Sequence, residues 1–120
     1  MKILMIDDEE DIRKVGLLSL ERVGKFIVRQ AASAAEGLSV AREEPPDVIL
    51  LDVMMPGMDG PQTLGELQKD PALKSIPVIF LTAKVQPQDV ERYLELGAVG
   101  VIQKPFDPMA LPGQIRKILS

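Results

Sequence analysis

The chain contains no cysteine and no histidine among its 120 residues. Without thiols there is neither a disulfide framework nor a thiolate metal site. Without imidazole, His-based acid/base triads and zinc sites are excluded as well. No apolar run approaches the length of a membrane span, and Met1 leads directly into the first apolar strand, so no signal peptide is expected. A basic excess is lacking too: 14 Lys and Arg stand against 18 Asp and Glu, a net charge of −4. That balance argues against a sequence-independent grip on nucleic acid or on an anionic membrane. Internal repeats, linkers, low-complexity tracts and a Walker-type phosphate loop are all absent. What remains, 46% hydrophobic and 27% charged, is a soluble globular chain with enough residues for a real core. It is expected to form one domain over residues 1–120 and to reside in the cytoplasm.

The stretch DVILLDVMMPGMDG, Asp47 to Gly60, organises the rest. Four apolar residues, Val48 to Leu51, run straight into the carboxylate of Asp52, and a loop rich in Met, Pro and Gly follows. A short apolar run ended by turn residues predicts a strand buried on both faces, as in a parallel sheet covered by helices. In such sheets chemistry gathers beyond the carboxyl ends of the strands, where Asp52 would stand.

Strand and helix alternate five times along the chain. Lys2 to Ile6 predicts a strand that ends in the acidic run Asp7, Asp8, Glu9, Glu10 and Asp11. A helix follows to about Val23, with Ile12, Val15, Leu18 and Leu20 to Val23 as its inward face. Acidic residues in its first turn suit the positive end of the helix dipole. Phe26 to Ala31 predicts a second strand, placed at a sheet edge by Arg29 and Gln30. Ser33 and Glu36 predict a capping box for a second helix, which Pro45 and Pro46 stop. After the organising strand, Gly60 and Pro61 open a third helix. Val78 to Leu81 predicts the fourth strand, and a helix from about Gln86 to Leu96 closes on Gly97. Val99 to Ile102 predicts the fifth strand and is followed by a final helix toward Leu119. Pro112 and Gly113 either kink that helix or make Asp107 to Ala110 a separate turn before it.

This alternation predicts an α/β fold: a doubly wound, flavodoxin-like, five-stranded parallel sheet with helices on both faces. The most continuously apolar strands belong at the centre, which gives the order 2-1-3-4-5. The strand ends then bring together Asp7 and Asp8, Asp52, Thr82 and Lys104. At about 4 Å, each like-charged carboxylate pair costs roughly 4 kcal/mol at an effective dielectric near 20. Proton uptake, a divalent cation or Lys104 would relieve that repulsion. Oxygen-only ligands favour a hard cation such as Mg²⁺, so the cluster reads as a metal-assisted phosphate site. Taken singly, the same residues read differently. Asp7 to Asp11 would be a solvated helix start, Thr82 a strand end and Lys104 a surface lysine. Met54, Met55 and Met58 read as adaptable packing, and Tyr93 as a half-buried helix residue.

IDDE near the start, LLDVMMPGMDG in the middle, then FLTA and GAVGVIQKPF resemble, at family spacing, the receiver domain of two-component response regulators, in its single-domain chemotaxis form. The resemblance spans essentially the whole chain. It implies that Asp52, ionised at neutral pH, accepts a phosphoryl group from a phosphohistidine on a sensor histidine kinase or a histidine phosphotransfer protein. It implies Mg²⁺, with Mn²⁺ as a substitute, held directly by Asp8 and Asp52, by the backbone carbonyl of Met54, and by Asp7 through water or as support. Thr82 would hydrogen-bond the phosphoryl group and Lys104 would pair with it. The Lys104–Pro105 peptide is expected to be cis. The protein would phosphorylate itself and slowly lose the phosphoryl group to water, with Met54 and Lys84 tuning that loss. It would act as a switch on a downstream protein partner rather than turn over an external substrate.

One departure bears on output: the aromatic expected three positions before the lysine is Val101. Two other classes compete for the same residues. A haloacid-dehalogenase-like aspartyl-phosphate hydrolase would need a second Asp where Met54 stands, and a cap insertion. A flavodoxin-like cofactor binder would need small hydroxyl-bearing residues after the first strand, where DDEEDIR would repel phosphate. Phosphoryl transfer to Asp52 is the preferred reading. The cognate kinase, and whether the chain stands alone or belongs to a longer one, are left open by the residues.

Overall fold

The computed structural model, which describes residues 1–120, contains a single parallel sheet. Its strands are β1 (Lys2–Ile6), β2 (Ile27–Ala31), β3 (Val48–Asp52), β4 (Val78–Thr82) and β5 (Gly100–Gln103). They lie in the order β2-β1-β3-β4-β5, as the apolar runs predict. β3 and β4 are buried along their whole length. Successive side chains of a strand face opposite sides of the sheet, and both sides here are covered. Leu4, Ile6, Ile49, Leu51, Val78 and Phe80 pack on one side with Leu38 of α2 (Ala34–Glu43), Leu64 and Leu67 of α3 (Gly60–Lys69) and Tyr93 of α4 (Pro87–Leu96). Ile3, Met5, Val48, Leu50, Ile79 and Leu81 pack on the other with Leu20 and with Leu111 and Ile115 of α5 (Leu111–Leu119). Each fully buried Leu or Ile contributes about 1.5–3 kcal/mol, so the two apolar layers fix the strand register that carries the polar strand ends. No helix is long and apolar enough to cross a membrane.

The inward face of the first helix, α1 (Glu10–Leu18), differs from the expected one. Val15, Leu18 and Val23 are exposed, whereas Gly16, Ser19 and Leu20 are buried. A Cβ on Gly16 would meet Met5 Sδ at 2.6 Å, so the helix lies closest to the sheet at its glycine. Residues 16 and 20 share one face at i, i+4 spacing, and Val15 and Leu18 are left on another. The helix continues as a π-helical turn over Ser19–Val23. There the Gly24 N–H donates to the Ser19 carbonyl at 3.0 Å, and the Ser19 hydroxyl donates to the Pro108 carbonyl.

Helix termini follow their predicted punctuation with one correction. Ser33 accepts from the Glu36 N–H at 3.2 Å, but Glu36 Oε1 accepts from the Ala32 N–H rather than from Ser33, so the box at α2 is only half formed. The complete box stands at α3, where Asp59 and Gln62 bond each other reciprocally at 2.9 and 3.0 Å. Asp107 to Ala110 forms a separate turn, and Pro112 falls in the first turn of α5, where a missing N–H costs nothing. Gly97 ends α4 in the left-handed region at φ 115°. Tyr93, expected half-buried, is buried to 1% and meets the Phe80 ring edge-on, centroids 5.2 Å apart at 67°. Such pairs add about 0.5–1.5 kcal/mol to burial. Of the three methionines expected to pack, Met55 is buried and Met58 lies against the core, but Met54 is exposed.

Candidate functional site

The sheet delivers every polar residue singled out in the sequence to one end. β1 carries Asp7 and Asp8 beyond its last residue, and β3 and β4 end on Asp52 and Thr82 themselves. Lys104 follows β5 and is tied to its neighbour by its own N–H, which donates to the Thr82 carbonyl at 2.9 Å. The Lys104–Pro105 peptide is cis. Gly60 keeps α3 close beneath this end, since a Cβ there would lie 2.7 Å from the Asp52 carbonyl oxygen.

Asp7, Asp52 and Thr82 are all buried, while Asp8 is exposed. Asp7 is satisfied by two donors, the Glu9 N–H at 2.9 Å and Lys104 Nζ at 2.9 Å. Asp52 Oδ1 accepts from the Met54 N–H at 3.3 Å and faces Lys104 Nζ at 3.4 Å. Asp52 Oδ2 has no hydrogen-bond partner and is the one buried side-chain polar atom so placed. Thr82 Oγ1 accepts from the Lys84 N–H at 3.0 Å, which leaves its own proton free to donate. An open cavity of about 310 Å³ lies over these groups, lined by Glu9, Ile12, Asp52, Met54, Thr82, Ala83, Lys104 and Pro105.

Charge in the site is unevenly compensated. Burial first, and then the neighbouring Asp7 carboxylate, push Asp52 up to about 7. Lys104 and the Met54 N–H pull the other way, and Asp8 adds to the rise. Full ionisation of Asp52 at neutral pH, expected from the sequence, is therefore corrected: without added positive charge, burial and Asp7 hold its proton up into the neutral range. Burial alone would lower the Lys104 ammonium, but the hydrogen bonds to Asp7 and Glu9 outweigh it and push Lys104 up. Carboxylate oxygens of Asp7, Asp8, Glu9 and Asp52 all lie within 4.8 Å of one another, a cluster that could hold a metal ion. One ammonium against four such carboxylates leaves a net negative site. The unpartnered Asp52 Oδ2 and the all-oxygen donor set both fit a hard divalent cation. Glu9 is the site residue that the sequence reading passed over. The available signal was a long Glu where a helix start favours Asp, Ser, Thr or Asn.

The family model for the response regulator receiver domain matches residues 3–116. Among curated proteins, a probable transcriptional regulator ycf27 of Guillardia theta is 41% identical over 118 residues, which are 98% of this chain and 45% of that protein. Response regulator Rre1 of Synechocystis is 35% identical over 120 residues, 100% of this chain and 52% of its own length. The chain thus spans about half the length of these relatives. Among solved structures, the chemotaxis response regulator CheY4 of Vibrio cholerae superposes with a TM-score of 0.90 at 31% identity, over 98% of this chain and 97% of that one. The N-terminal domain of a response regulator receiver protein from Methanoculleus marisnigri does so with a TM-score of 0.80 at 38% identity, over 99% and 96%.

Proposed function

The chain belongs to the response regulator receiver domain family of two-component signalling, and from that premise we propose that Asp52 is its phosphoacceptor. The observation that carries this is the state of Asp52: a buried carboxylate lining the cavity, with Oδ2 unpartnered and Lys104 Nζ at 3.4 Å from Oδ1. An Asp52 oxygen attacks the phosphorus of a phosphohistidine. The bond from phosphorus to the ring nitrogen breaks, and its electron pair returns to the departing imidazole. Lys104 pairs with the arriving phosphoryl oxygens, and the Thr82 hydroxyl donates to another. Asp7, Asp8, Asp52 and the Met54 carbonyl would hold Mg²⁺, or Mn²⁺ in its place. When bound, the cation supplies positive charge that favours ionised Asp52 and offsets the transferring phosphoryl group. Water later hydrolyses the acyl phosphate, which resets the switch.

The donor on this reading is a sensor histidine kinase or a histidine phosphotransfer protein in the cytoplasm. The output is contact with a downstream protein, because a net charge of −4 suits no direct grip on nucleic acid. The test is intact-mass spectrometry and site mapping after incubation with acetyl phosphate and Mg²⁺. A single acid-labile phosphoryl group on Asp52 is expected, and none on Asp52→Asn. Unchanged stoichiometric labelling of that variant would remove Asp52 as the acceptor.

A further inference from the structure

Glu9, the fourth carboxylate of the cluster, has no part in the transfer just described. It stands at the N-cap of α1 with φ −87° and ψ 116°, yet its side chain makes no capping hydrogen bond. A short Asp, Ser, Thr or Asn in that position would accept from the first-turn N–H groups. The Glu9 side chain instead reaches Lys104 Nζ at 3.1 Å and lines the cavity beside Asp52 and Thr82. The helix start gives up its cap, and the site gains a counter-ion.

An ammonium has three N–H donors; Lys104 Nζ gives two of them to Asp7 at 2.9 Å and Glu9 at 3.1 Å, and Asp52 Oδ1 lies 3.4 Å away without a hydrogen bond. A phosphoryl group on Asp52 brings several oxygens, and a second Lys104 donor reaches them only if Asp7 or Glu9 lets go. The Asp7 side chain is fully buried and cannot withdraw, whereas that of Glu9 is 59% exposed and can swing into water without opening the core. We propose that Glu9 is a positioning residue that occupies Lys104 at rest and releases it to the incoming phosphoryl oxygens, so that it slows phosphorylation by anionic donors. The proposal rests on the assignment of Asp52 as acceptor. With the Glu9 carboxylate largely in solvent, the pair is weak and screened by salt. The gate is therefore a rate-setting device, not a block.

The experiment compares the parent, Glu9→Gln and Glu10→Gln as full chains with Mg²⁺. Initial rates of Asp52 labelling are followed with acetyl phosphate, a dianion, and with phosphoramidate, whose ammonio group cancels part of its charge. Glu10 pairs with Lys14 at 3.2 Å outside the cavity, so its variant removes the same charge without touching Lys104. Glu9→Gln is expected to label about two- to five-fold faster with acetyl phosphate. The gain should be smaller with phosphoramidate and should fade as salt is raised; Glu10→Gln should match the parent. In metal-free protein, the Lys104 Nζ ¹⁵N resonance should shift in Glu9→Gln and stay in place in Glu10→Gln. Equal rates for Glu9→Gln and the parent, a slower Glu9→Gln, or an equal gain in Glu10→Gln each overturn the gate while leaving the acceptor intact. Failure of the parent to label at Asp52 with either donor overturns the acceptor assignment, and the gate with it.

Discussion

Asp52→Asn should stabilise the metal-free protein, and by an amount that grows with pH. Asp52 is pushed from 3.8 to about 7, chiefly by burial and by Asp7. A carboxyl with a folded pKa above its unfolded value binds its proton more tightly in the folded state. Stability is therefore lost as pH rises from about 4 through about 7, and the whole cost is present above that window. About three units at 1.36 kcal/mol each set an upper limit of about 4 kcal/mol. That limit already contains the attraction to Lys104, one of the influences that lower Asp52. The asparagine amide must settle in the space where Oδ2 has no partner, and an unsatisfied buried polar group costs about 1–3 kcal/mol. A net gain of about 2 kcal/mol at pH 8 is expected, shrinking to nothing or reversing sign near pH 4. Urea titrations of both proteins in EDTA at pH 4, 6 and 8 read this directly. A difference that stays flat across the range, or a variant less stable at pH 8, would refute the reasoning. Lys104 and the Met54 N–H would then already compensate the carboxylate.

The same pairs predict other responses. Mg²⁺ at a hundred times its Kd should stabilise the parent by about 2.7 kcal/mol and Asp8→Asn clearly less, with slower transfer in that variant; equal gains in denaturant titrations would remove Asp8 as a ligand. Because Asp8 is exposed, its substitution should leave metal-free stability within about 0.5 kcal/mol. Lys104→Met should cost about 3 kcal/mol in urea, since it strips the fully buried Asp7 side chain of its cation; a loss below about 1 kcal/mol would mean that the Glu9 N–H suffices. With beryllofluoride as acyl-phosphate mimic, Thr82→Ala should silence the amide shifts over residues 83–96, and Val101→Ala should leave most of them. The reverse pattern would make β5 the carrier of the signal.

The sheet was legible because both its centre and its ends are written in residue type. Continuous apolar runs at Val48–Leu51 and Val78–Leu81 can only be central strands, and Arg29 and Gln30 mark an edge. Pro61, Pro87 and Gly97 punctuate helices, so their bounds fall within about a residue of those expected. The placement of the candidate site was legible for the same reason: Asp52 is the carboxylate on which a continuous apolar strand ends. Properties set by what a residue faces across space were not legible. The inward face of α1 turns on Gly16 meeting Met5, and no count of apolar positions registers an absent side chain. The raised pKa of Asp52 needs the depth of its burial and its distance from Asp7, neither of which a strand end reveals.

Val101 shows how such a spatial fact changes a functional reading. As a string, the sequence lacks the aromatic expected on β5, and the route from site to surface looks broken. In the sheet, Val101 pairs in register with Phe80 on β4, and Phe80 meets the buried Tyr93 of α4 edge-on. The aromatic bulk on this side of the sheet is thus carried by β4 and α4. Phe80 lies two residues before Thr82, on the same face of the same strand. A shift of the Thr82 hydroxyl would be passed on through the bond it accepts from the Lys84 N–H, at the start of the loop that leads into α4. It would also act on a strand whose next side chain on that face packs directly on Tyr93 of α4. Both paths would end on one helix without passing through β5. On the reading that Thr82 bonds the phosphoryl group, a small β-branched residue with few χ1 options would suffice at position 101, because the element that would move is the helix that already holds the ring.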